Sequence, residues 1–173
     1  MVTGSEAAST RNFEPLIELE MTARALSAYW SQCSHIASYV ARAVSHNRTD
    51  STLYSNLFSS AINELLELAY RSHHGRGLVA CRVLRRGTVD RIEINIPCAP
   101  SYSRFLLSAV EHLSGPGSEA RYLDALTSDE GGHSDIGLLE LAHDFGADIS
   151  AKAEDDQQVR LTVDLRLEDQ VSV

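Results

Sequence analysis

Long hydrophobic runs are missing from this sequence: apolar residues never follow one another for more than four or five positions. A helix that crosses a bilayer needs about 20, so no segment reads as a membrane span. The first dozen residues, Met1 to Asn12, are small and polar with no apolar stretch among them. They read as a loose tail rather than a secretory signal. Cysteine is scarce too. Cys33, Cys81 and Cys98 are odd in number, widely spaced and never arranged C-x-x-C, which excludes a disulfide framework and a zinc site. Reduced thiols in a cytoplasmic protein are the expectation. Basic residues are outnumbered, 15 Lys and Arg against 24 Asp and Glu, for a net charge of −9. A surface built to track nucleic-acid phosphates would be basic, so nucleic acid is not an expected partner. The local cluster of Arg82, Arg85 and Arg86 reads as a solvated edge. There are no repeats and no low-complexity segments.

What is present suits a globular domain. Hydrophobic residues make up 43% and charged residues 23%, enough for one full core in a chain of this length. The predicted organisation is a tail over residues 1–12 and a single domain over 13–173. Pro15 to Glu20 (PLIELE) alternates apolar and acidic positions, as a strand does. From Ala25 to Ser45 apolar residues recur at helical spacing, with Trp30 as a core anchor. Asp50 or Ser51 caps a second helix, Ser51 to His73, with two adjacent apolar stripes, Leu53, Leu57, Ala61, Leu65 and Tyr54, Phe58, Ile62, Leu66, Ala69. Leu78–Leu84 and Val89–Ile96 form a hairpin around Gly87. Pro97 and Pro100 end it, and helices follow over 101–114 and 119–126. A polar loop, 127–134, leads to a helix over 135–145 and a closing hairpin, 147–153 and 158–167, whose second strand alternates strictly. This order predicts an α+β two-layer sandwich, a mostly antiparallel sheet with helices on one face.

Two motifs add a resemblance. Asn63 to Arg71 (NELLELAYR) is similar to the N-box, roughly N-E-L-x-E-N-A, of the histidine-kinase-like (GHKL, Bergerat-fold) ATPases. Gly131 to Ala142 (GGHSDIGLLELA) resembles that group's second glycine box. Between them, Ile94 to Pro97, the helix after it and Tyr122 to Leu126 are similar to the SiaB-like regulators, relatives of the anti-sigma-factor serine kinases. The resemblance runs in the right order from about Glu18 to Leu167. It implies that Glu64 is the general base, or orients water, and that an oxygen ligand for Mg²⁺ belongs four residues on. That position is Leu68, which has no lone pair for a cation that demands oxygen. The adenine-side polar position falls on Ile96, with Asn95 adjacent. The phosphate loop falls on Gly131, Gly132, Asp135 and Gly137, with Asp135 standing where a glycine would bare backbone N–H groups to phosphate.

Other candidates read more plainly. His73 and His74 suit carbonyl capping at a helix end, and His133 and His143 suit loop and surface. No Ser/His/Asp or Cys/His arrangement stands out. Two functions remain open. One is a signalling regulator, in effect a pseudokinase, acting through a protein partner such as an anti-sigma-antagonist-like domain, without ATP or metal, a homodimer being compatible with it. The other is an active ATP- and Mg²⁺-dependent serine/threonine kinase.

Overall fold

A computed structural model describes residues 13–72, 76–113, 115–127 and 136–167. The tail over 1–12 lies outside the described residues. Strand β1 (Glu14–Thr22) leads into helix α1 (Ala23–Ala28), a short 3-10 turn (Trp30–Gln32) and helix α2 (Cys33–Ser45). Helix α3 (Ser51–Ser72) precedes the β2 (Leu78–Arg86) and β3 (Val89–Pro97) hairpin. Helices α4 (Pro100–Glu111), α5 (Ser118–Thr127) and α6 (Ile136–His143) follow, and strands β4 (Asp148–Asp155) and β5 (Gln158–Leu165) close the chain.

The five strands form one sheet in the order β1-β2-β3-β5-β4, with every neighbouring pair antiparallel. The predicted α+β sandwich is what the chain forms. Register places Leu19, Cys81, Ile94, Leu161 and Ala151 in one row and Ile17, Val83, Ile92, Val163 and Ile149 in the next. These rows face the helices. Their central members on β2, β3 and β5 are buried, while those on the edge strands are only partly covered. Strand alternation puts Arg91, Glu93, Asn95 and Arg160 on the opposite face. There, Arg91 and Asp164 form a bidentate pair (2.7 and 2.8 Å) that pins β3 to β5.

Helix α3 supplies the largest share of the helical layer. Tyr54, Phe58, Ile62, Leu65 and Leu66 are almost wholly enclosed, the result of apolar residues three and four apart. Its start is capped as expected, the Leu53 N–H donating to Asp50 Oδ1 at 3.0 Å. The single helix expected over 25–45 is instead α1 and α2 joined by the 3-10 turn. Thr22 Oγ1 caps α1, accepting from Ala25 N at 3.1 Å. The break lets Trp30 stack on Tyr70 of α3 with ring centroids 4.5 Å apart, so the tryptophan packs against the helix from a partly buried position rather than deep in the core.

Arg82 and Arg86 of the arginine cluster are exposed, as a solvated edge would have them, whereas Arg85 is not. Arg82 pairs with Glu93 at 2.6 Å, and Arg86 and Arg91 lie over the Phe13 ring at 4.5 and 4.2 Å. Arg85 points inward to Asp90, which is fully buried. It donates to both Asp90 oxygens (2.7 and 3.0 Å) and to the Val44 carbonyl (2.6 Å). Arg48 adds a 2.9 Å bond to the same carboxylate, and the Tyr54 hydroxyl donates to it as well. Burial, followed by the Asp90 charge, pushes the Tyr54 hydroxyl upward from its ordinary range. A buried charge is tolerable only with partners of this kind.

Candidate functional site

Helix α3 carries the first motif and α6 the second, and the fold sets the two helices against each other. Glu64 sits near the middle of α3, on the side that meets α6. Gly137 is the second residue of α6. A Cβ placed on it would stand 2.8 Å from Glu64 Oε2, so the missing side chain is what leaves room for the carboxyl group. Glu140, three residues further along α6, falls on the same helical face, and Glu67 is the corresponding neighbour on α3.

Three carboxyl groups therefore share a half-buried seam. Burial pushes the Glu64 carboxyl from 4.5 up to about 7, with Glu140 and then Glu67 adding to the rise and Arg71 opposing it. Arg71 is itself paired with Glu67 one turn away. Glu140 is raised by burial first, then by Asp144 and Glu67. A carboxyl group that exchanges its proton near neutral pH is suited to acid–base work. It also senses any charge brought close to it.

Behind this seam, Tyr122 of α5 donates a hydrogen bond to Asp144 and stacks on His143, with ring centroids 5.2 Å apart and planes 7° from parallel. The Tyr122 hydroxyl is pushed up to about 12, first by that hydrogen bond. His143 is thus a packing residue, half-covered, with Nε2 enclosed and lacking a hydrogen-bond partner among the described residues. The surface position expected for it is wrong, because α5 folds over α6.

The remaining motif residues divide clearly. Leu68 lies one turn after Glu64 with 5% exposure, inside the core. Ile96 is completely buried on the helix-facing side of β3. Asn95 points the other way and accepts a hydrogen bond from Arg160 Nε at 3.0 Å. Alternation alone decides which of the adjacent pair faces the helices, and it is the isoleucine. Gly131, Gly132, Asp135 and His133 lie outside the described residues, as do His73 and His74. Among the described residues no three His, Cys, Asp or Glu side chains converge as a metal-binding set. The cysteines are all buried and unpaired with one another, and burial pushes the Cys81 thiol up to about 12.

Glu140 lies within the second motif, whose resemblance implies no role for it. Its spacing from Gly137 was the available signal. The Tyr122–Asp144 contact joins positions 22 residues apart, and no local pattern marks it.

Comparison with known proteins adds one finding. No family model matches the chain, and no curated protein matches it. Among solved structures, the fold resembles that of a chain in the crystal structure of the SiaB–SiaC complex from Pseudomonas aeruginosa. The TM-score is 0.68 at 13% identity, over 91% of this chain and 93% of that one. The likeness covers the sheet and the helical layer together, and at this identity it is a likeness of fold. Among the described residues no helix is long and apolar enough to cross a membrane.

Proposed function

We propose that the chain is a signalling regulator that acts by binding another protein, on a histidine-kinase-like scaffold whose Mg²⁺-nucleotide site has been lost. The observation that carries this reading is Leu68. One helical turn from Glu64, where the resemblance calls for an oxygen ligand, the chain places a hydrocarbon side chain that packs into the core. Mg²⁺ demands close, near-octahedral oxygen donors, and this position does not fit it. Ile96, apolar and enclosed, removes a polar group from the adenine side in the same way. The structural likeness to a chain found in a two-protein complex supports a protein as the partner. The partner class we favour is a small regulator of the anti-sigma-antagonist kind.

The active-kinase reading has one observation in its favour. Glu64 is retained, abuts Gly137, and titrates near the pH at which a general base works best. Thermal melting with and without Mg-ATP separates the two. A ligand at about 100 times its Kd stabilises the native state by roughly 2.7 kcal/mol, a rise of about 5–10 °C for a chain of this size. The regulator reading expects no rise. A shift of that size that depends on Mg²⁺ would overturn it.

A further inference from the structure

Charge is unevenly divided along this chain. Of its 24 Asp and Glu residues only Asp50 falls between Ala23 and Asn63, the stretch that forms α1, α2 and the first half of α3. Asp50 is itself engaged, its Oδ1 accepting from the Leu53 N–H at the start of α3. Against that one carboxylate stand Arg24, Arg42 and Arg48, so the stretch is positive in a chain whose total is −9.

The outward face of α2 concentrates this character in one stripe. Ala37, Val40, Ala41 and Val44 are buried. His35, Tyr39, Arg42 and His46, at spacings of four, three and four, lie on the other side of the helix, and all four are exposed. His46 caps α2 with helical backbone angles, so the stripe runs unbroken to the helix end. Tyr39, at 69%, is the most exposed large hydrophobic side chain among the described residues. None of the four side chains makes a hydrogen bond or ion pair with a described residue. At Arg42 and His46 the stripe meets a hollow of about 330 Å³ between the end of α2 and the start of α3, its wall including Ser51, Thr52, Ser55 and Asn56. Stripe and hollow together offer hydrogen-bond donors and no carboxylate.

We propose that this face of α2 docks an acidic segment of a partner protein, one with carboxylates on either side of an apolar side chain. The apolar group covers Tyr39, a residue type that anchors protein interfaces. Carboxylates meet His35 on one side and Arg42, His46 and the hollow on the other. The proposal rests on the reading of the chain as a protein-binding regulator, and adds which surface binds and what chemistry it selects. Charge decides the occupant. An acidic segment is repelled by the remainder of the chain and finds its complement here. Nucleic acid or an anionic membrane needs several cations to neutralise its phosphates, and the stripe has one arginine. From His35 to His46 it is about 17 Å long, which suits a small, transient interface. The surface is separate from the nucleotide seam: Tyr70, which stacks on Trp30 just ahead of α2, is about 120° around α3 from Glu64.

The test is an NMR titration of the full chain with a designed probe, a helical peptide of about 16 residues carrying Glu, Leu, Glu and Glu at the same four-three-four spacing. Amide signals over 32–46 and 51–56 shift, with a Kd of roughly 0.1 mM at low ionic strength that weakens as salt rises. Tyr39→Ala and Arg42→Glu each weaken binding at least about fivefold, with circular dichroism and melting like wild type, since both side chains are exposed. Arg104→Glu makes the same change of charge on exposed α4, which borders β4 at the opposite end of the sheet from β1 and α2, and binds as wild type does. Four results would overturn the proposal: no shifts up to about 2 mM peptide; shifts centred on other residues; Arg42→Glu binding no more weakly than Arg104→Glu; or an equal response to the peptide with lysine in place of glutamate. Tighter binding at these residues by a DNA duplex of about 20 base pairs, or by vesicles of phosphatidylcholine and phosphatidylserine at about three to one, would also overturn it and assign the surface to phosphate. The Mg-ATP melt decides the regulator reading by itself. With no ATP-dependent rise, a failed titration removes this surface and leaves that reading in place.

Discussion

Gly137 and Glu64 are in direct contact: the position a Cβ would take on the glycine is 2.8 Å from the glutamate's Oε2 and 3.8 Å from its Cβ. The crowded atom is the far end of a flexible side chain, so alanine at 137 displaces the carboxyl group rather than the helix. Alanine also gains up to about 1 kcal/mol of helix propensity over glycine. Gly137→Ala is expected to change stability by less than about 1 kcal/mol while moving Glu64 toward solvent and lowering its pKa. Carboxyl titration by NMR checks this. Retention of a midpoint near 7 in the variant would refute the contact.

The raised Glu64 pKa fixes the sign of a pH effect. Between 4.5, its ordinary value, and about 7 the folded chain holds a proton that the unfolded chain has released. The stabilisation is therefore complete below about pH 4.5 and is lost as pH rises through 7, a decrease of about 1–3 kcal/mol. Glu64→Gln should flatten that part of the profile. Urea midpoints at pH 5 and pH 8 measure it, and equal slopes for both proteins would argue against the seam.

Asp90 holds two arginines and a tyrosine at the hairpin end of the domain. Asp90→Ala strands Arg48 and Arg85 without their carboxylate and is expected to cost about 3–5 kcal/mol. Tyr54→Phe removes one hydroxyl and should cost far less, about 1–2 kcal/mol. Denaturant titration of the pair gives the ratio, and an Asp90→Ala loss below about 1 kcal/mol would contradict the network.

Leu66 is 1% exposed within the helix–sheet core. Leu66→Ala is expected to cost about 2–5 kcal/mol. A loss under about 1 kcal/mol in a urea melt would mean that this face of α3 is not the one packed on the sheet.

The degraded-site reading makes a constructive prediction. Leu68→Asn supplies an oxygen one turn from Glu64, and Asp135→Gly removes a negative charge from the stretch that the resemblance assigns to phosphate, where a like-charge contact at about 4 Å would cost roughly 1–4 kcal/mol. Calorimetric titration should show no Mg-dependent ATP binding by the unmodified chain and measurable binding by the double variant. Micromolar binding by the unmodified chain would favour the kinase instead.

The sheet and α3 were legible in the sequence because a buried face repeats at a fixed period. Val159, Leu161, Val163 and Leu165 alternate without exception, and α3 shows two stripes. The break at Tyr29 was not legible, because the Trp30–Tyr70 stacking that accompanies it joins residues forty positions apart. Arg85 was misread for a similar reason. Its partner Asp90 is close in sequence, but the burial that makes the pair consequential comes from α2 and α3 folding over the hairpin. At the site, the motifs located Glu64 and Gly137 without revealing that they touch. Helix spacing relates residues on one helix, whereas contact between helices is settled by packing.

Strand order has a consequence for biosynthesis. The central strand β3, with Ile92, Ile94 and Ile96, is flanked on one side by β2 and on the other by β5, and about 60 residues separate Pro97 from Gln158. At a ribosomal rate of about 5–20 residues per second, the free edge of β3 waits roughly 3–12 s for its neighbour. During that interval an isoleucine-rich edge is open to pairing with other chains. Ribosome-bound or truncated chains that end before Gln158 should therefore depend on chaperones, and the last hairpin is the part of the molecule that ends that dependence.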